Sequence, residues 1–169
     1  MAEPSTKPVI NLADVPLRDN GHGEAFAAKV GSFGHMIGST GIGCMLHVVE
    51  PGKKAFPFHV HHAMHELFVI LEGEGEYRFG SEVHKVSAND VLAAPAGGPE
   101  LAHQIANTGD KPLKYLGIST KVDTEVVEYP DSNKFAVMSR FDWNDPGAGG
   151  VRFVGRAESS LDYWDGEEG

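Results

Sequence analysis

Residues 51–75 read PGKKAFPFHVHHAMHELFVILEGEG. Four histidines fall close together here: His59, His61, His62 and His65. Glu66 follows at once, then the apolar run from Leu67 to Leu71, then Gly73. Titratable groups set against so hydrophobic a run cost free energy unless each is paired. A metal ion would pair most of them.

Strand parity sorts this cluster. Side chains at i and i+2 of a strand share a face, so His59 and His61 point together and His62 points away. Glu66 is out of phase with them in one continuous strand. A turn across His62 to His65 resets the facing and returns Glu66 on a neighbouring antiparallel strand, with Phe68 and Ile70 on its face. Two imidazoles and a carboxylate suit a divalent transition metal: imidazole favours Zn, Cu, Fe and Ni, and carboxylate widens the choice to Mn. A fourth ligand is expected, and His103 has the comparable setting, in a strand with Ile105 and Asn107 on the same face.

Outward from this stretch, short apolar segments alternate with turn residues. Ile42 to Val49 ends at Pro51-Gly52. Phe58 to His62 follows, then Glu66 to Leu71 continuing through Gly73 and Gly75 into Tyr77 to Phe79, then Val83 to Val86, Val91 to Ala94, His103 to Ala106 and Leu113 to Thr120. About eight short strands over residues 42–120, with no long 3.6-residue period, predict an all-β sandwich or barrel. Residues 1–41 are rich in proline and glycine and read as an N-terminal arm with at most a short strand. Residues 121–169 read as a C-terminal extension with two strand-like runs, Lys134 to Ser139 and Val151 to Gly155. Trp143, Tyr163 and Trp164 are expected to anchor that extension to the barrel or to a second subunit.

Composition bounds the rest. The chain has 169 residues, 41% hydrophobic and 22% charged, consistent with one globular domain. The formal net charge of −10 argues against nucleic acid and against an anionic membrane surface. The lone Cys44 excludes a disulfide framework. No secretory signal or apolar stretch of about 18 residues occurs, so the expected location is cytoplasmic.

Gly52, the HVH of residues 59–61, Glu66 and Gly73 resemble the first motif of the cupin superfamily. The PAG of residues 95–97, His103 and Asn107 resemble its second. The segments NLADVPL, EYPDSNK and YWDGEE are similar to a group of bacterial single-domain cupins of undetermined function, some of which carry a provisional sugar-phosphate isomerase label. The resemblance implies a double-stranded β-helix, the cupin jelly-roll barrel. It implies one divalent metal (Fe, Mn, Zn or Ni) held inside by His59, His61, Glu66 and His103, and a homodimer. Four protein ligands leave positions open on an octahedral ion, the mark of a reactive rather than a structural site. Three functions are compatible: an Fe(II) dioxygenase, a metal-assisted sugar-phosphate isomerase, and a cupin that binds a small ligand without turnover. Isomerisation needs a base, and strand position nominates His47, His65 and Tyr115. A phosphorylated substrate needs cations at the pocket mouth, for which Lys53, Lys54 and Arg78 are candidates.

Overall fold

The computed structural model describes residues 7–140 and 149–168. Trp143 lies outside the described residues. Thirteen strands are assigned among them. The first ten are β1 (Arg18–His22), β2 (Phe26–Ser32), β3 (Ile42–Val49), β4 (Val60–His61), β5 (Glu66–Glu72), β6 (Glu74–Phe79), β7 (Glu82–Ser87), β8 (Val91–Ala94), β9 (His103–Ala106) and β10 (Leu113–Thr120). The last three are β11 (Thr124–Tyr129), β12 (Lys134–Ser139) and β13 (Val151–Gly155). The rest is loops and short 3₁₀ turns.

One six-stranded antiparallel sheet runs β1-β2-β3-β10-β5-β8. Two smaller sheets, β7-β6-β9 and β13-β12-β11-β4, are joined through the chain between Lys54 and His61. That segment makes antiparallel bridges to β9 at Lys54–Ala106 and His59–His103, and its end pairs with β11 through Val60 and His61. The result is the double-stranded β-helix. Glu66 is not on a strand next to the histidines, contrary to the expectation from parity: β4 pairs with β11, whereas β5 pairs with β10 and β8. The turn after His61 carries the chain from one sheet to the other, so Glu66 meets the histidines across the interior rather than along a ladder.

Period-2 patterning builds that interior. In β5 Phe68 and Ile70 are buried, and in β10 Leu113 and Tyr115 are buried. They join Val30, Val49, Tyr77, Leu92 and Ile105 in one core drawn from both sheets. Full burial of an aliphatic or aromatic side chain contributes about 1.5–3 kcal/mol relative to exposure. A second core of Val15, Phe33 and Leu46 forms beside it, with Ile10, Leu12, Cys44 and Leu116 packed on. The alternate residues of β3 and β10 therefore face the N-terminal segment, and β1 and β2 extend the same sheet.

Gly73 turns the chain from β5 into β6. Its φ is +85°, and a Cβ there would stand 2.7 Å from the Pro112 carbonyl oxygen. Tyr163 and Trp164, expected as anchors, are 83% and 70% exposed and pack edge to face on each other. No helix among the described residues is long and apolar enough to cross a membrane.

Candidate metal centre

Three elements place the site. His59 immediately precedes β4 and His61 closes it, Glu66 opens β5, and His103 opens β9. The backbones of His59 and His103 are bonded both ways: the His59 N–H donates to the His103 carbonyl at 3.1 Å, and the His103 N–H donates to the His59 carbonyl at 2.7 Å. Their rings consequently lie side by side, with centroids 4.5 Å apart.

All three imidazoles present Nε2 to one carboxylate oxygen. Glu66 Oε2 lies 3.9 Å from His59, 3.3 Å from His61 and 3.1 Å from His103. Ligand atoms of His59, His61 and Glu66 fall within 4.8 Å of one another. The site is largely enclosed, with His103 3% exposed.

The second nitrogen of each ring decides which tautomer is available. His59 Nδ1 donates to the Pro57 carbonyl at 2.8 Å, which leaves its Nε2 lone pair facing Glu66. His61 Nδ1 faces Glu125 Oε2 at 3.6 Å, beyond hydrogen-bond length. His103 Nδ1 is likewise buried without a hydrogen-bond partner. Donor type, convergence and the outward Nδ1 contacts of His59 and His61 fit a divalent transition metal.

The charges are strongly coupled. Burial, then the neighbouring His103 and His61, lowers the His59 pKa to about 4. For His61 burial works the same way, but the carboxylates of Glu125 and Glu66 on either side of the ring outweigh it and raise the pKa to about 9. Glu66 would be raised by burial, yet its contacts with His103, His61 and His59 hold it well below the usual carboxylate range. A cation held by these groups would compete with the proton that the raised His61 pKa retains.

The three residues nominated as bases lie elsewhere around the site. His47 is buried, stacks on Tyr115 at 4.5 Å and meets Phe56 edge to face at 5.6 Å. Burial lowers its pKa to about 4. Tyr115 is fully enclosed, and burial followed by the Glu66 charge raises its pKa. Phe68 stands between this pair and the ligands, 5.9 Å from Tyr115 and 5.5 Å from His103. His65 is exposed, with its ring 3.4 Å from the Ala96 N–H. His62 points outward and binds Glu128 at 2.6 Å. Of the cations, Arg78 forms a two-point pair with Asp131 at 2.7 and 3.0 Å and lies over the Phe58 ring. Lys53 donates to the Glu24 carbonyl at 2.6 Å.

Two residues of β11 were missed from sequence. Glu125 is 4% exposed and faces His61; the Tyr129 ring stacks 6.2 Å from His59. A signal existed. In TEVVEY, Glu125, Val127 and Tyr129 share one parity, and an acid on the face of a buried valine needs an internal partner.

Residues 45–119 match the family model of the Cupin domain. This stretch is similar to the Cupin domain, and the described residues have the antiparallel all-β architecture of a double-stranded β-helix. It is 34% identical over 85 residues to an uncharacterised protein of Methanocaldococcus jannaschii, covering 48% of this chain and 65% of that one, a little under two thirds of the relative's length. Two solved structures are similar over nearly their whole length. A sugar phosphate isomerase from Silicibacter pomeroyi matches at TM-score 0.75 and 23% identity, over 94% of this chain and 98% of that chain. A protein of Acidithiobacillus ferrooxidans, provisionally named a sugar phosphate isomerase, matches at TM-score 0.76 and 21% identity, over 92% and 96%. At these identities the likeness shows the fold.

Proposed function

We propose that this chain is a metal-binding cupin that acts as a small-molecule metalloenzyme, with His59, His61, Glu66 and His103 holding one divalent transition metal. One observation carries the reading: three imidazole Nε2 atoms converge on a single Glu66 oxygen at 3.1 to 3.9 Å. Packing alone gives no reason to gather three histidines round one carboxylate inside a barrel. The bound ion would supply a Lewis acid, or a one-electron centre if it is iron. The chain's own residues would do the rest. His59 is oriented through Pro57, and the aromatic layer of Phe68, Tyr77 and Tyr115 limits water behind the site.

Purified protein is expected to carry close to one divalent metal per chain, and His59→Ala with His61→Ala to carry none. Normal metal content in the double variant would end the reading. Iron-loaded protein that consumes oxygen with catechols, diketones or thiols would make it a dioxygenase. A metal-filled protein inert to all of these, but retaining an organic ligand through purification, would make it a binding module.

A sugar-phosphate isomerase is the second reading, favoured by the names of the two similar structures. Arg78 and Lys53 are already engaged by Asp131 and Glu24, so a phosphate would have to displace one of these contacts. Interconversion of aldose and ketose phosphates, followed by NMR, tests it. We also propose a homodimer formed through the exposed Val151, Phe153, Val154, Leu161, Tyr163 and Trp164. A light-scattering mass of one chain would refute that.

A further inference from the structure

Glu125 sits in β11, beyond the last strand matched by the family model, yet it is almost fully buried beside the site. Its carboxylate is surrounded by donors. Oε1 accepts from the backbone N–H of His62 at 3.0 Å, Ala63 at 3.0 Å and Val126 at 2.9 Å. Oε2 accepts from the Met64 N–H at 2.7 Å and faces His61 Nδ1 at 3.6 Å, an electrostatic contact just beyond hydrogen-bond length that leaves this buried Nδ1 with no other partner. A buried carboxylate is tolerated only where its lone pairs are filled, and the turn after β4 folds round this one as an anion nest. The same turn carries the chain from His61 to Glu66.

We infer that Glu125 is a positioning residue of the metal centre: it holds His61 as the tautomer with Nδ1–H outward and Nε2 free, and it locks the turn that brings Glu66 opposite. The inference rests on the metal-centre reading above. An imidazole whose outer N–H meets a carboxylate is a better and better-aimed ligand, and loss of such a partner costs about 10–100-fold in metal affinity.

Glu125→Gln separates the two duties. A glutamine carbonyl can take over the Oε1 position and keep the bonds to His62, Ala63 and Val126. Its amide then turns a donor towards His61 Nδ1 and the Met64 N–H. His61 relieves the clash by becoming the Nδ1-acceptor, Nε2–H tautomer, which cannot ligate through Nε2; an acid-to-amide change beside a histidine acts in this way. Thr120→Val is the control, because Thr120 Oγ1 holds the far end of the same turn through the His65 N–H at 3.0 Å without touching His61.

The test measures Zn(II) affinity of metal-stripped full-length chains by chelator competition, the Co(II) visible spectrum, and the His61 tautomer by ¹⁵N NMR. Glu125→Gln is expected to lose about 10–100-fold in affinity, to shift the Co(II) bands, and to show Nε2–H at His61. Thr120→Val is expected to stay within about twofold of wild type and to keep its spectrum. Equal affinity and spectrum in wild type and Glu125→Gln would overturn the inference and leave the metal centre standing. Equal losses in both variants would also overturn it, since turn order alone would then explain the effect. Failure of the wild-type chain to bind Zn(II) or Co(II) would overturn the metal centre itself, and this inference with it.

Discussion

The Nε2 of His103 lies 3.1 Å from Oε2 of Glu66 across a sequence separation of 37 residues. This contact joins the second motif to the first. His103→Ala is expected to weaken divalent-metal binding by more than about 100-fold, because even outer partners of metal ligands are worth 10–100-fold. Chelator competition checks it, and unchanged affinity would remove His103 from the ligand set.

The metal-free protein is expected to be most stable near pH 6.5. His47 and His59, with pKa values of about 4, bind fewer protons folded than unfolded between pH 4 and 6.5, so stability rises with pH through that window. His61, with a pKa of about 9, binds more protons folded than unfolded above pH 6.5, so its contribution is lost as pH climbs to 9. Bound metal replaces the His61 proton and should abolish the falling limb. Thermal midpoints from pH 4 to 9.5, with chelator and with Zn(II), check both limbs. A chelated protein that keeps gaining stability up to pH 9 would contradict the assignment.

Asn107 is 1% exposed. Its Nδ2 donates to the Val49 and Lys111 carbonyls at 2.8 Å each, and its Oδ1 accepts from the Gly109 N–H at 3.0 Å. Asn107→Ala is expected to cost about 2–4 kcal/mol, since it strands buried backbone groups. Asn107→Asp should cost at least as much, because it aims an acceptor at two carbonyls. Denaturant unfolding measures both, and a loss within experimental error would show that water satisfies the turn.

Any side chain at Gly73 is expected to cost stability. Gly73→Ala combines a positive φ with a Cβ against the Pro112 carbonyl, a cost of about 1–3 kcal/mol. Because the corner links β5 to β6, urea midpoints should fall while zinc affinity in native buffer stays close to wild type. A large loss of metal binding would instead tie the corner to the placement of Glu66.

Much of the molecule was legible in the chain. Alternation put Phe68 and Ile70 on the face of Glu66, and turn residues bounded the strands from Ile42 to Thr120 except at Gly73, where the chain turns from β5 into β6 instead of running on to Phe79. Lys134–Ser139 and Val151–Gly155 also appear as strands. The pairing of His59 with His61 is local parity, a period of two that no distant contact alters. Other features are not local. β1 and β11 lack long apolar runs, and they form because β2, β4 and β12 offer them edges. Parity could point Glu66 inward, but only closure of two sheets decided that β4 would face β5 across the interior rather than pair with it. The same closure set Glu125 behind His61 and Phe68 between Tyr115 and His103. Sequence by itself determined which side chains point inward, because strand geometry is a property of neighbours along the chain. Which of them meet was decided by the tertiary structure, because hydrogen bonds between distant strands select the partners.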